Sequence, residues 1–297
     1  MVDSVLRPPL PPVPIPAATY RDMVWVHLKT FEGAVGRIYT DGKGIPTMGA
    51  GNALAVIGRG GLWQLRPAAE IGAEIAAPPY RFTAEEWQRL TACLRAAAAG
   101  AVAIAQALVP PFDPARETSE RNRFGFALND AAMQAQALAK WSVARGAVRN
   151  GLLAEAARRG WPSAEAAAYA EAFALSRQEL GLASVRYNIG SGRATPRSDA
   201  AVLDGDRAAL WYEIAYDTNP PGNGASREGI ARRRLAEARL ACGDPTGWST
   251  AERTRLDAIL AANSDRVAAY RRAVPGAFAD PSPDDDPPPG GAAALAA

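Results

Sequence analysis

A chain of 297 residues with 48% hydrophobic content has material for two ordinary domains, or one domain with large insertions, and is not a wholly disordered chain. Its net charge of +2 does not point to a nucleic-acid protein, yet it would not repel a polyanionic surface such as a bacterial wall. A single histidine, His27, makes a zinc centre or a Ser–His–Asp triad improbable; Cys93 and Cys242 lie far apart, and two buried free thiols are expected in preference to a disulfide.

The opening "MVDSVLRPPLPPVPIP" lacks the charged and apolar regions of a signal peptide, so synthesis in the cytoplasm without one is expected. Residues 1–18 read as a proline-rich, extended arm. Thr19 with Asp22 reads as a capping box opening "YRDMVWVHLKTF"; Met23, Val26, His27 and Phe31 recur at helical spacing, and Gly33 supplies the stop. His27 is expected to be a partly buried structural residue of that helix. "AVGRIYT" and "IPTMG", separated by "DGKG", predict a β-hairpin. Beyond it the alanine-rich chain reads as helical, with breaks at "APPY", "VPPFDP", "RGWPS" and "NPPGNG". The apolar run at 96–109 is too short and too rich in alanine for a membrane span, and reads as a buried helix. A last helix is expected from Ser249, with Glu252 closing its capping box, to about Val274. The acidic, proline-rich end at 276–297 reads as disordered.

The glycine-rich stretch 31–54 raises two chemistries. As a phosphate loop it fails: Gly36 is one residue too far from Gly42-Lys43, Gly44 stands where a Ser or Thr would hold magnesium, and a proline rather than a helix follows. Hydrolysis of a glycosidic bond needs a protonated carboxyl for the leaving oxygen and an ionised one to activate water or attack the sugar. Glu32 at the C-terminal end of the first helix, where the dipole and Phe31 disfavour a carboxylate, suits the first role. Asp41, in a polar turn beside Lys43, suits the second, and the Thr47 hydroxyl is placed to hold a water against it. A Glu at a helix end and an Asp in a turn are also ordinary capping residues.

"LKTFEG…IYTDGKGIPTMGAGN" resembles the N-terminal signature of the phage-type lysozymes of glycoside hydrolase family 24, in which a helix ending in E-G leads into a Y-x-D-x-x-G hairpin and a T-x-G-x-G strand. "LSRQELGLASVRYNIGSG" (175–192) resembles the family's core helix, and "LDGDRAALWYEIAYDTN…REGIARRRLAEARLACG" (203–243) its closing segment, in the same order. The resemblance implies a mainly α, α+β, two-lobed lysozyme-like fold. Its implied activity is muramidase: hydrolysis of the β-1,4 bond between N-acetylmuramic acid and N-acetylglucosamine in peptidoglycan glycan strands. Glu32 would be the acid and Asp41 the second carboxylate, with Thr47 favouring an in-line water and inversion. Arg232, or else Arg233, would approach Glu32 as a supporting charge; the plain alternative for Arg232–Arg234 is a solvated cationic face. No metal or organic cofactor is required.

Two departures stand out. Ala50 and Asn52 occupy positions where the family commonly has a larger apolar residue and a histidine. The resemblance covers only about 20–65 and 126–243, so the expected organisation is an arm (1–18), a catalytic lobe (19–65), a helical insertion (66–125), a helical lobe (126–243), an additional helix (244–275) and the tail (276–297), with a lesser insertion at 152–171. The insertion at 66–125 would cover the site, contact substrate, bind a partner or buttress the fold. An endolysin released through a membrane lesion, or an effector or virion component delivered with an immunity or delivery partner, would reach the wall without a signal peptide; the arm and insertion would then be docking surfaces. No nucleic acid and no stable membrane insertion are expected. A lytic transglycosylase and a non-catalytic wall-binding protein are the alternatives.

Overall fold

The computed structural model describes residues 8–58, 60–76, 78–113, 118–189, 195–218 and 227–273. The protein is α+β and mainly helical. Its backbone divides into two units, Met1–Val24 with Lys140–Ala297, and Trp25–Ala139. The acidic end at 276–297 and the tripeptide Gly190–Gly192 of the core-helix motif lie outside the described residues.

The second unit opens with the latter half of helix α1 (Ala17–Glu32), which buries Trp25, His27 and Leu28. His27 is 8% exposed and packs tilted on Phe31, the structural place expected of it. Val26, expected on the buried face, is 41% exposed. Gly33 stops the helix at φ +71°, a conformation cheap only for glycine, and its N–H bonds the Lys29 carbonyl at 3.2 Å. The start differs from expectation: α1 begins at Ala17, with the Tyr20 N–H on the Pro16 carbonyl, so Thr19 lies inside the helix and caps nothing.

The hairpin forms as read. Strands β1 (Val35–Thr40) and β2 (Pro46–Gly49) pair antiparallel with Tyr39 opposite Thr47 and Thr40 opposite Pro46. A short β3 (Asn52–Ala53) adds to β2, giving the order β1-β2-β3. The ladder shifts register between Val35 and Ile38, where the Gly36 carbonyl accepts from the Leu128 N–H at 2.7 Å. A β-carbon at Gly36 would stand 2.6 Å from the Leu128 carbonyl oxygen, so only glycine admits this approach. Ile38 and Met48, both fully buried, anchor the sheet; each such side chain contributes about 1.5–3 kcal/mol by burial.

A second hairpin, β4 (Ala55–Ile57) and β5 (Trp63–Leu65), was not expected, because the chain after the first hairpin reads as helical. Its strands have three residues each and are joined by a glycine-rich tip, too short to show a period. Three helices follow: α2 (Ala68–Ile75), α3 (Ala84–Ala98) and α4 (Val102–Leu108). Thr83 and Glu86 form a full capping box on α3. The run 96–109 is not one buried helix: Gly100, at φ +75°, breaks it between α3 and α4, and Ile104 is 59% exposed. Among the described residues no helix is long and apolar enough to cross a membrane.

The first unit is helical. Helix α5 (Asp130–Arg158) runs from the second unit into it and is followed by α6 (Ser163–Phe173), α7 (Arg177–Ile189), α8 (Pro196–Leu203) and α9 (Arg207–Tyr212). The stretch 152–171 thus holds the end of α5 and most of α6. Glu213–Asp217 winds as a π-helical turn, and α10 (Arg227–Cys242), α11 (Thr250–Ala262) and α12 (Ser264–Ala273) complete the unit. Helix α7 is buried all round from Gln178 to Arg186. A β-carbon at its Gly181 would meet Ala241 and the Glu237 carbonyl of α10 at 2.7 Å, so glycine sets this close helix contact. Ser249 and Glu252 form the expected capping box, but the single last helix divides at Asn263 into α11 and α12.

The proline-rich stretch is not a free arm. Leu10 and Ile15 are buried; the Ile15 N–H bonds the Leu175 carbonyl at 2.8 Å, the Arg177 N–H bonds the Val13 carbonyl at 3.0 Å, and Gln178 holds both Val13 and Pro11. Residues 8–16 therefore belong to the folded unit, which corrects the start expected near Thr19. Cys93 and Cys242 are free and buried, as expected.

Candidate active site

Glu32 is the last residue of α1, and the glycine turn after β2 comes up against it. Gly51, at φ +70°, lies so close that a β-carbon there would stand 2.7 Å from Glu32 Oε2. The T-x-G-x-G pattern thus has a local reason: Gly49, at φ +58°, and Gly51 make a turn that residues with side chains adopt only under strain.

Asp41 follows β1 directly. Its Oδ1 accepts the Lys43 and Ile45 N–H groups, both at 2.8 Å, while its own N–H bonds the Ile45 carbonyl at 3.0 Å. Oδ2 has no hydrogen-bond partner among the described residues. One oxygen thus fixes the turn and the other remains available, so the capping role and a chemical role do not compete. Thr47 is 4% exposed, and its hydroxyl donates to the Ile45 carbonyl at 3.1 Å. The proton of that hydroxyl is committed, and toward a water it acts as an acceptor.

Tyr39 joins these groups, opposite Thr47 in the ladder and 7% exposed. Burial pushes its phenol above the ordinary value, the Glu32 charge adds to the rise, a hydrogen bond from the Gly51 N–H opposes it, and Asp41 contributes further. Glu32, Asp41 and Gly51 therefore all lie within electrostatic or hydrogen-bonding reach of one buried hydroxyl. Sequence reasoning quoted Tyr39 inside the Y-x-D motif but gave it no role.

The segment 66–125 buttresses this hairpin. Thr40 Oγ1 donates to the Val109 carbonyl at 3.0 Å, and buried Arg37 reaches the Pro110 and Pro111 carbonyls at 2.8 and 3.0 Å. Gly44, at φ +80°, brings the Asp41 turn onto α3 and α4: a β-carbon there would lie 3.0 Å from Ala105 Cβ and 3.3 Å from Ala97 Cβ. Cys93 contacts the Gly44 carbonyl at 3.6 Å, and burial with the Asp41 charge pushes its thiol up to about 12. Of the roles expected for this segment, its contacts with the hairpin show buttressing.

At the two departures, Ala50 is buried at 3% and Asn52 donates to Glu74 Oε2 at 2.7 Å. Nothing in the sequence separates Glu74 from other surface glutamates, and its pairing was missed.

Arg232 is exposed on α10. The picture of Arg232–Arg234 as one solvated face needs correction, because Arg233 and Arg234 are 4% and 0% exposed. Arg233 Nε bonds Glu237 Oε1 at 2.9 Å, Arg234 pairs with Glu237 Oε2, and Ser184 donates to the same carboxylate. A buried carboxylate with two guanidinium partners and a hydroxyl makes Arg233, Arg234 and Glu237 a packing device between α7 and α10. Arg232 and Arg233 lie in the first unit and Glu32 in the second.

Comparisons with protein-family models, with curated proteins and with solved structures find no match. The likeness to phage-type lysozymes rests on the quoted motifs.

Proposed function

We propose that the chain is a muramidase of the phage-lysozyme kind, with the two-lobed lysozyme-like fold that the resemblance implies. The observation that carries the reading is Asp41: one carboxylate oxygen is held by two backbone N–H groups, the other is open, and Glu32 and Thr47 belong to the same hairpin-centred group. In this reading Glu32 gives its proton to the glycosidic oxygen as the bond to the anomeric carbon breaks. A water donates one hydrogen to Asp41 Oδ2 and the other to the Thr47 oxygen, and its lone pair bonds to the anomeric carbon. Asp41 takes up the released proton, Glu32 is left ionised, and solvent exchange restores both. Attack by water from the far face inverts the configuration. The buried Tyr39 and the backbone clamp on Asp41 hold the reacting groups in place before substrate arrives, which is where much of a hydrolase's advantage arises.

The test is digestion of purified peptidoglycan with mass spectrometry of the fragments, for wild type, Glu32→Gln and Asp41→Asn. Reducing muramic ends from wild type and from neither variant support the reading. Anhydro-muramic ends that survive Asp41→Asn would instead make the protein a lytic transglycosylase. Binding to the wall with no cleavage by wild type would make it a wall-binding protein.

A further inference from the structure

The turn from Gly49 to Gly51 lies against the Glu32 carboxyl, and residue 74 of α2 binds the side chain that follows the turn and one that packs beside its start. On one side Asn52, which follows Gly51, donates to Glu74 Oε2 at 2.7 Å. Arg66 pairs with Glu74 and with Glu70, the latter at 2.6 Å, and reaches Asn52 Oδ1 at 3.5 Å. On the other side Gln136 of α5 donates to the Glu74 carbonyl, while its Oε1 lies 2.8 Å from where a β-carbon at Gly49 would be. Gly49 is therefore bounded by a side chain tied to Glu74, and Gly51, which abuts Glu32, is followed in the chain by another.

We infer that Glu74 is a positioning residue for the Glu32 carboxyl, its carboxylate acting through Asn52 on the Gly49–Gly51 turn while its main-chain carbonyl seats Gln136 beside Gly49. The inference rests on Glu32 being the proton donor. Two left-handed glycines leave a turn conformationally permissive, and a proton donor misplaced by an ångström loses much of its rate. The bracket supplies the rigidity that the glycines lack. It also explains how the chain tolerates asparagine where the resembled family has histidine. The asparagine amide donates to a carboxylate without titrating between pH 5 and 8, and Arg66 stays charged throughout.

The experiment uses the full chain, with wild type, Glu74→Gln, Asn52→Ala, the double variant and Asn52→His. Steady-state cleavage of soluble glycan chains is measured across pH, alongside Tm and hydrogen exchange of the Gly51 amide in glycine-labelled protein. The expected result is a roughly tenfold fall in kcat with KM within about twofold, and a double variant no worse than the poorer single one. The limb of the pH–rate profile set by the protonated acid should move along the pH axis, which loss of folded protein cannot do. Gly51 exchange should quicken about tenfold, and Asn52→His, restoring a donor toward Glu74, should recover most of the rate. An active wild type whose variants keep kcat and both limbs of the profile overturns this role alone. An inert wild type overturns the reading of Glu32 and this role with it.

Discussion

Gly51 and Glu32 touch: any side chain at 51 would begin 2.7 Å from Oε2 and 3.2 Å from the carboxyl carbon of Glu32. Gly51→Ala therefore meets two penalties at once, a left-handed backbone for a residue with a β-carbon and a carboxyl that must move. The expected outcome is a loss of about 1–3 kcal/mol in denaturant unfolding, with a fall in wall-lytic rate well beyond the fraction unfolded. A variant with normal lysis and lowered stability would show that the contact is only packing.

Asp41 separates structure from chemistry within one side chain. Asp41→Asn keeps a carbonyl oxygen for the Lys43 and Ile45 N–H groups, so unfolding should change by less than about 1 kcal/mol while lysis disappears. Asp41→Ala leaves both donors without an acceptor and should cost about 1–3 kcal/mol. Paired urea melts of the two variants check this, and equal losses would refute the division of labour between Oδ1 and Oδ2.

The thiols should be silent in the native state. Burial raises both, Cys93 to about 12 with help from Asp41, so almost no thiolate exists at pH 8. Labelling with a thiol-specific reagent should be slow in native buffer and complete within minutes in denaturant. Because burial is the main cause of the Cys93 rise, fast native labelling confined to Cys93 would mean that its cover at Gly44 and Ala105 opens.

Glu213 gives a pH dependence in the first unit. Burial and the neighbouring Asp217 push its carboxyl up to about 7, against Arg197 and Arg266, which pull it down. An acid whose folded value lies above its unfolded one binds its proton more tightly when folded. Its stabilising contribution is full below the unfolded value, near 4.5, and is lost as pH rises toward 7. Glu213→Gln keeps the neutral form at every pH, so its Tm relative to wild type should be higher at pH 8 than at pH 5. An unchanged difference between the two pH values would refute this.

Parts of both units were legible because their signals are local. The Gly33 stop, the "DGKG" turn and the Ser249 capping box each follow from a few adjacent residues, and each formed. Glu32 and Asp41 were placed at a helix end and in a turn by the same local logic. What escaped depended on partners distant in the chain. Thr19 looked like a cap, but the proline-rich stretch before it is folded and the helix starts earlier. Arg233 and Arg234 looked solvated, because the carboxylate that buries them recurs only a turn later, inside the contact with α7. Glu74 has no sequence mark at all, since its partners Asn52, Arg66 and Gln136 meet only in three dimensions.

The docking of residues 8–16 also sets an order of events in the life of the chain. Val13 bonds Gln178 across 165 residues, and Leu10 bonds Val202. At about 5–20 residues per second, a ribosome needs roughly ten to forty seconds to deliver those partners after residues 8–16, the strap, have emerged. Through that interval Leu10 and Ile15 are uncovered on a nascent chain, and a chaperone has its opportunity there. A bulky N-terminal fusion would hinder this late step, whereas the same fusion at the other end would leave the strap free to dock.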